Sequence, residues 1–143
     1  MSGSGDIRSQ LDDLGLSSVQ VKVGQVYTLP DEDISFPKTR LKRAKGEGVH
    51  DRRTVIVMQD GPTLLDPLVP TVLVAPTSSR IDCKTANDVV ISAGEGGLDK
   101  DCVCMVDHVQ PVLKTRLKAC CGRLDNHRIE ELQVLLAAIT GRL

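Results

Sequence analysis

The sequence predicts a mainly β, α+β fold, in which a small and strongly curved antiparallel sheet or barrel is followed by one α-helix. Short stretches rich in β-branched residues recur along the chain and are bounded by Gly, Pro or Asp, which is typical of strands. They follow one another too closely to leave room for crossover helices between most of them, which favours antiparallel pairing. The final segment instead has the apolar spacing of a helix.

Five segments carry the strand pattern. They are VKVGQVYTL (21–29), TVIVMQ (54–59), TVLVAP (71–76), DVVIS (88–92) and CVCMVD (102–107). Between the first two lies the polar, glycine-containing stretch TRLKRAKGEGVHD (39–51), which predicts a long mobile loop. Loops of this length in a compact domain are usually functional or disordered.

The terminal helix is predicted to begin after Asp125, a good N-cap residue, and to stop at Gly141. A shorter helix is predicted over SQLDDLGL (9–16). Residues 1–20 are expected to form a partly flexible extension and residues 21–143 a single domain. Apolar residues spaced by three or four positions define the buried face of the terminal helix: Ile129, Leu132, Leu135, Leu136 and Ile139.

The composition limits how this domain could bind nucleic acid. One Tyr, one Phe and no Trp among 143 residues leave a core of Val, Leu and Ile and few rings for base stacking. The net charge is -1, yet residues 38–53 hold seven basic residues against two acidic ones, an excess of five. Any nucleic-acid binding is therefore expected to depend on this local charge and on hydrogen bonds.

Five cysteines, an odd number, favour reduced thiols in a cytoplasm over a disulfide framework. Cys102 and Cys104 are expected to share one side of a strand and to pack there, because no C-x-x-C pair suggests a zinc site. The start of the chain has neither the apolar segment of a signal peptide nor a spanning run, so neither export nor membrane insertion is expected.

Two strand ends carry groups that suit a phosphate. Arg53 precedes the second strand segment, and a guanidinium fixed there presents a planar fork of donors. The alternative is a surface ion pair with Asp51 or Asp60. The stretch PTSSR (76–80) offers three hydroxyls, although Ser and Thr also bond their own backbone in turns.

The histidines are weaker candidates. His50 and His108 are suited to general acid–base chemistry near neutral pH. His127 falls in the first turn of the terminal helix and is expected to be exposed. No P-loop, G-x-S-x-G or H-E-x-x-H motif is present in the sequence.

Four ordered blocks make the chain resemble the MazF/PemK family of toxins over residues 23–143. They are R-x-V-I-V-x-Q-D (53–60), T-V-L-V-A-P-T-S-S (71–79), G-G-L-D-K-D-x-V-x-M-V-D-H-V (96–109) and K-T-R-L-K-x-x-x-G-R-L (114–124), followed by the amphipathic helix. The resemblance implies a small SH3-like, plasmid-maintenance-toxin barrel that acts as a homodimer with RNA along its interface. It also implies a metal-free, cofactor-free endoribonuclease that cuts single-stranded RNA and is silenced by a cognate antitoxin.

Carried onto this sequence, the resemblance places the catalytic residues at Arg53 and Ser78, with Thr77 or Ser79, one place away, as the alternatives to Ser78. It places substrate contacts in the basic loop and around the hydroxyls, at Lys42, Arg43, Lys45, Arg52, Thr77, Ser79 and His108. The chain departs from the family pattern by having Thr54 after Arg53, where the family often has Pro. It also has His108 for a family Gln, and Gln110 for a basic residue that could contact RNA.

Two rival functions fit the same barrel. One is a binding toxin of the CcdB type, whose affinity would reside near the chain end at Gly141, Arg142 and Leu143. The other is a non-catalytic dimeric module retained for a protein partner. Arg53 together with a hydroxyl at 77–79 favours the enzyme over both.

Overall fold

A computed structural model describes residues 20–36 and 52–141 of the chain. Within these ranges the regular elements are seven strands and one α-helix, connected by short 3-10 turns. The strands are β1 (Gln25–Pro30), β2 (Arg52–Val57), β3 (Thr71–Ser78), β4 (Asp88–Ile91), β5 (Cys102–Met105), β6 (Gln110–Leu113) and β7 (Cys120–Arg123), and the helix is α1 (Asn126–Ile139).

The strands form one curled antiparallel sheet in the order β4-β5-β3-β2-β1-β7, with β6 also paired to β3. β3 is the strand that turns the sheet on itself. Its first half, Thr71–Val74, pairs with β6, and its last two residues, Thr77 and Ser78, pair with β5. The predicted curved antiparallel sheet with a terminal helix is therefore confirmed.

The core has two parts because alternate residues of a strand face opposite sides of the sheet. Val26 of β1 and Ile56 of β2 pack with Ile129 and Leu132 of α1 on one side. Tyr27, Leu29 and Val55 pack on the other side. The core is built of Val, Leu and Ile as the composition predicts, and it also holds the single tyrosine, whose pKa is raised to about 12, first by burial and then by Cys120.

Several strand boundaries differ from those predicted, and three of the differences have a structural meaning. β1 begins at Gln25, because Gly24 adopts a left-handed turn (φ +83°) and a Cβ there would collide with Ile129. β2 begins at Arg52, which pairs with Pro30, so both arginines belong to the strand and not to the loop. β3 continues to Ser78, so Thr77 and Ser78 lie in the sheet and not in a turn.

β6 and β7 were missed by the sequence analysis. Pro111 and Gly122 disrupt the strand pattern, but Pro is tolerated on an edge strand, and among the described residues β6 pairs with β3 alone. Gly122 has a packing reason, because a Cβ there would approach the backbone of Gly96 to 2.8 Å. β6 matters for the candidate site because Gln110 and the later Arg116 bind the segment 31–36, which in turn contacts Arg53.

The terminal helix agrees with its prediction at both ends. The Asp125 side chain accepts a hydrogen bond from the Arg128 backbone N–H (2.8 Å), and Gly141 follows the helix with φ +79°. Ile129 and Leu132 are buried, whereas the inclusion of Ile139 in the buried face was wrong, because it is 36% exposed near the end of the helix. No helix in the described ranges is long and apolar enough to cross a membrane.

Several predicted features lie outside the described residues. They are the helix at 9–16, all but the last residue of the extension 1–20, the basic loop at 39–51 with Lys42, Arg43, Lys45 and His50, and the final residues Arg142 and Leu143.

Candidate active site at the ends of β2 and β3

The start of β2 and the end of β3 lie side by side and line an open pocket of about 150 Å³. The antiparallel register causes this meeting: Val55 pairs with Pro76, so the residues before Val55 lie beside those after Pro76. A third wall comes from the connection between β4 and β5. The lining residues are Arg52, Arg53, Thr54, Thr77, Ser78, Ser79, Leu98, Asp99, Lys100, Asp101 and Cys102.

Arg53 is held firmly in this pocket. Its side chain is 10% exposed, and its Nε donates a hydrogen bond to Asp31 Oδ1 at 2.5 Å. The guanidinium carbon lies 4.3 Å from the centre of the Phe36 ring, within cation–π range. Its carboxylate partner is thus Asp31 at the end of β1, and neither Asp51 nor Asp60, the two candidates considered from the sequence.

The donors of Arg53 are not used up by this pairing. Arginine carries five N–H donors, and Asp31 accepts from the one at Nε. No residue in the described ranges accepts a hydrogen bond from the four terminal N–H groups. A nearly buried cation whose terminal donors have no acceptor among the described residues is suited to an anionic ligand such as a phosphate.

Thr77 and Ser78 are both buried residues, and their hydroxyls have different partners. Thr77 Oγ1 donates to the backbone carbonyl of Thr54 (3.1 Å), which links β3 to β2. Ser78 Oγ accepts from the backbone N–H of Arg80 (3.1 Å). Thr77 therefore uses its hydroxyl proton within the sheet, whereas the Ser78 proton can be donated elsewhere.

The third wall is fixed by contacts behind it. Asp101 Oδ1 accepts from the Ala93 N–H (2.7 Å), which closes the β4–β5 connection on itself. Arg128 of α1 binds both carboxylate oxygens of Glu95, at 2.9 and 3.0 Å, and these bonds lower the pKa of Glu95. Gly97 (φ +78°) packs so closely on Cys121 that any side chain would collide with its backbone. The wall thus has a defined position relative to the sheet.

The sequence analysis did not assign Asp99, Lys100 or Asp101 to a site. Their signal was the quoted block G-G-L-D-K-D, but nothing local in that block places it beside Arg53. Three cations (Arg52, Arg53 and Lys100) and two carboxylates (Asp99 and Asp101) now line the same pocket. The two carboxylates therefore partly offset the attraction that the three cations exert on an anionic ligand.

The cysteines agree with their predicted packing role. Cys102 and Cys104 are buried in the core cluster beneath α1. Burial is the largest cause that raises the pKa of Cys102, to about 11, followed by Asp101 and Glu95. The Cys102 thiol is therefore in its protonated, weakly nucleophilic form. In the described ranges, no group of three His, Cys, Asp or Glu is placed to share a metal ion.

His108 does not line this pocket. It ends the 3-10 turn Val106–His108 between β5 and β6, half-buried, with Nε2 3.6 Å from Asp107 Oδ1. Gln110, which replaces a family basic residue, is a structural contact: its Oε1 accepts from the Ser35 N–H (2.8 Å), and its Nε2 donates to the Ser35 carbonyl (3.1 Å). Arg52 is exposed at the pocket edge, and Ser79 is exposed just after β3.

A family model described as PemK-like, MazF-like toxin of type II toxin–antitoxin systems matches residues 38–140, more than half of the chain. The chain belongs to this toxin family. The match includes β2, β3 and the β4–β5 connection, and with them every residue that lines the pocket. The resemblance found in the sequence is thereby confirmed, and toxins of this family are generally endoribonucleases.

Solved structures show the same fold. The MazE–MazF crystal structure (Form-II) from Deinococcus radiodurans matches with a TM-score of 0.62 and 15% identity, covering 88% of this chain and 100% of that chain. A mycobacterial endoribonuclease in complex with its cognate antitoxin matches with a TM-score of 0.59 and 13% identity, covering 87% and 96%. Mycobacterium tuberculosis toxin MazF-mt6 matches with a TM-score of 0.58 and 16% identity, covering 82% and 96%.

At these identities the structures establish the MazF-like barrel and no more. Two of the three contain an antitoxin, by their descriptions. A comparison with curated protein sequences gave no match.

Proposed function

We propose that this MazF/PemK toxin is an endoribonuclease that cuts single-stranded RNA without a metal ion and without a cofactor. The observation that carries the proposal is the meeting of Arg53 and Ser78 in one pocket, because these residues lie 25 positions apart and are joined by the register of β2 and β3. Neither rival function requires this pairing. A binding toxin or a structural module would place no demand on a nearly buried, partly unbonded guanidinium.

The reaction uses the RNA's own 2′-hydroxyl as the nucleophile. The 2′-oxygen forms a bond to phosphorus and gives up its proton, while the bond from phosphorus to the 5′-oxygen breaks and that oxygen gains a proton. The products are a 2′,3′-cyclic phosphate and a 5′-hydroxyl. The intermediate phosphorane carries additional negative charge, which fixed donors stabilise most effectively in a partly buried site.

Arg53 supplies that stabilisation through its terminal N–H groups. It cannot act as the base, because a guanidinium stays protonated to a pH above about 12. Its buried position and its bond to Asp31 keep it in place before the substrate arrives, so little reorganisation is needed in the transition state.

Ser78 is assigned the second role, a hydrogen bond to a phosphate oxygen or to a reacting oxygen. Thr77 is the alternative by sequence, but its hydroxyl already donates to the Thr54 carbonyl. Ser78 accepts from Arg80 and retains its proton for the substrate. Arg52 and Ser79, which line the pocket, and His108, which lies outside it, remain proposed substrate contacts. Lys100 joins them as a further cation that lines the pocket.

The test is cleavage of a long, mixed-sequence RNA in EDTA, with cut sites mapped by primer extension and product ends identified chemically. We expect cyclic phosphate ends, and we expect a 2′-deoxynucleotide at a mapped cut site to block cutting there. Arg53→Ala should lower the rate by about 10²- to 10³-fold, whereas Lys22→Ala, which removes an exposed cation from outside the pocket, should not. RNA left intact by the folded wild-type protein would refute the proposal.

A paired test separates Ser78 from Thr77. Ser78→Ala removes the proposed donor and should lower the cleavage rate by about 10-fold or more, because one charged-group hydrogen bond is lost. Thr77→Val keeps the shape and removes the bond to Thr54, so its main effect should be on stability. The opposite result would move the catalytic role to Thr77.

Binding of RNA is proposed to depend also on the basic loop, through Lys42, Arg43 and Lys45. The Lys42→Ala, Arg43→Ala double variant should weaken binding of a 2′-deoxy-blocked RNA and flatten its salt dependence, by about 0.7 in the log–log slope for each phosphate contact removed. Lys84→Ala with Lys118→Ala removes the same charge from exposed positions outside the loop. An unchanged slope in the loop variant would exclude the loop from the RNA path.

The proposed partners besides RNA are a second copy and a cognate antitoxin. Leu73 of β3 and Leu113 of β6 are 40% and 48% exposed, and the register places both on one sheet face with Pro111. Leu73, Pro111 and Leu113 are uncharged. The same apolar face on a second copy, related by a twofold axis, is therefore proposed to pack against this one. Light scattering should give the mass of a dimer for the wild-type protein and the mass of a monomer for Leu113→Glu. A monomeric wild type would contradict the dimer, and the antitoxin would then be the proposed partner of this face.

A further inference from the structure

The segment Asp31–Phe36 connects the end of β1 to the basic loop, and it contacts three different parts of the molecule. We call it the brace. We propose that the brace is a positioning device for Arg53, in which Asp31 and Phe36 set the guanidinium while Arg116 and Gln110 hold the brace itself. This inference rests on the proposed ribonuclease function.

Asp31 and Phe36 act on Arg53 directly. Asp31 fixes the Nε edge of the guanidinium, and the Phe36 ring lies against its carbon at 4.3 Å. A carboxylate at one edge and a ring on one face leave the opposite edge, with its terminal N–H groups, for the ligand. An arginine held in two ways loses little rotamer freedom when it binds, which is an advantage of a preorganised site.

Arg116 holds the acidic end of the brace. Its Nε donates to Asp33 Oδ2 at 2.7 Å, and its Nη2 lies 3.4 Å from Glu32 Oε1. Arg116 ends the 3-10 turn Lys114–Arg116 after β6, far along the chain from the brace. Asp31, Glu32 and Asp33 therefore share one short turn that is paired with Arg53 at its first residue and with Arg116 at its last.

Gln110 holds the other end. It forms two hydrogen bonds with the Ser35 backbone, one in each direction, and a third with the His108 carbonyl (3.1 Å). Ser35 is next to Phe36, so this amide fixes the backbone that carries the ring. A basic side chain at position 110 could not accept the Ser35 N–H, and the replacement seen in this chain therefore has a structural use.

The Asp31 carboxylate has two opposing effects on the reaction. It orients Arg53, which favours the transition state, but its charge also weakens the attraction of the site for a phosphate in the ground state. Asp31→Asn keeps the size of the side chain and removes the charge. We therefore expect a lower kcat together with an unchanged or lower KM, a combination that a general loss of structure would not produce.

The experiment measures kcat and KM on a short RNA that carries one mapped cut site. Asp31→Asn should lower kcat by about 10- to 100-fold, the cost expected for a misplaced catalytic group. Asp60→Asn, the same change at an exposed residue that bonds its own neighbour Gly61, should leave both constants unchanged. Gln110→Ala removes the hydrogen bonds to Ser35 and therefore acts on Arg53 only through the brace. It should lower kcat several-fold, again without raising KM.

A wild-type kcat in Asp31→Asn, or a higher KM with the same kcat, would overturn the positioning role. Thermal unfolding shows whether each variant is folded. If Asp31→Asn is not folded, Gln110→Ala tests the positioning role instead, through a lower kcat with no increase in KM.

A second readout does not depend on activity. The Nε–H of Arg53 should give a slowly exchanging NMR signal in the wild-type protein, and this signal should be lost in Asp31→Ala, which removes the acceptor. Absence of cleavage by the wild type would refute the proposed function, and the NMR signal would still decide the brace. A rapidly exchanging signal in the wild type would refute the brace while leaving ribonuclease activity to its own test.

Discussion

Arginine–carboxylate pairs form both the brace, at Arg53, and the helix clamp, which we define as Arg128 with Glu95 and Glu131. The two arginines differ in how many of their donors are used. Arg128 is 22% exposed and donates to both carboxylates, twice to Glu95 and twice to Glu131. Arg53 is more deeply buried, at 10%, yet within the described ranges it donates one hydrogen bond, to Asp31. Burial of a charge without a full set of partners costs stability.

This difference separates a structural arginine from one suited to a ligand. Arg128 donates four hydrogen bonds to protein carboxylates, so its contribution is to fix the third wall of the pocket. Arg53 is held by Asp31 at Nε, and its terminal donors have no acceptor among the described residues, as the proposed phosphate contact requires. Four predictions test this contrast, beginning with the largest expected effect.

Arg53→Met should remove cleavage almost completely, by about 10²- to 10³-fold, because the main donor to the phosphorane is lost. The thioether fills much of the same space, and Asp31 is 38% exposed and can be hydrated, so folding should be little affected. Rate measurements on RNA and thermal unfolding of the same preparation check both parts. Retained cleavage would contradict the role of Arg53.

Arg128→Met should have the reverse effect. Loss of the bonds to Glu95 leaves a carboxylate that is only 25% exposed without its cation, which should lower the free energy of unfolding by about 1–3 kcal/mol. Cleavage measured well below the unfolding temperature should remain within a few-fold of wild type. A large loss of activity with unchanged stability would show that Arg128, like Arg53, acts in the reaction and not in folding.

Acid should weaken the helix clamp. Arg128 lowers the pKa of Glu95 below its ordinary value of 4.5, so the unfolded chain binds a proton at Glu95 more readily than the folded one. The stabilisation is therefore complete above that ordinary value and is lost as the pH falls through the lower, folded pKa.

The matched variant is Glu95→Gln, which lacks this titration at every pH. Its free energy of unfolding should be lower than that of the wild type near neutral pH, and the gap should narrow as the pH falls below the ordinary value of 4.5 and through the lower, folded pKa. Urea unfolding across that range measures the gap. A gap that stays constant would show that the charge of Glu95 contributes nothing to the clamp.

The smallest effect is expected from Glu131→Gln. Glu131 is 41% exposed and pairs with Arg128 three residues earlier on the same helix, an arrangement worth about 0.2–0.5 kcal/mol. Urea unfolding should detect a loss of this size near neutral pH. A loss as large as that of Glu95→Gln would mean that the helix itself, and not the wall of the pocket, is what Arg128 stabilises.

Local patterns were enough for much of the fold. The β-branched segments at β2, β3, β4 and β5 and the cap and apolar spacing of α1 could be predicted because each depends on residues close in sequence. β6 and β7 could not be predicted in this way. Pro111 is acceptable in β6 because β6 is an edge strand, and Gly122 is needed in β7 because another backbone approaches it closely. Those conditions are set by neighbours distant along the chain.

The candidate site divides in the same way. The sequence indicated Arg53 and the hydroxyls at 77–79, since guanidinium and hydroxyl groups beside apolar strand segments are visible locally and the family blocks lie in order. It did not indicate Asp31 as the partner of Arg53, because Asp51 and Asp60 are nearer in sequence and the pairing depends on the β1–β2 register.

By itself, then, the sequence determined the class of fold, the family and the residues suited to phosphate chemistry. Only the tertiary structure decided which carboxylate orients Arg53, why Ser78 and not Thr77 has a hydroxyl proton to donate, and why Gln110 can replace a basic residue. Each of these depends on a hydrogen bond between groups brought together by strand register and by the packing of connections. Such distances are properties of the folded chain, which spacing along the sequence does not encode.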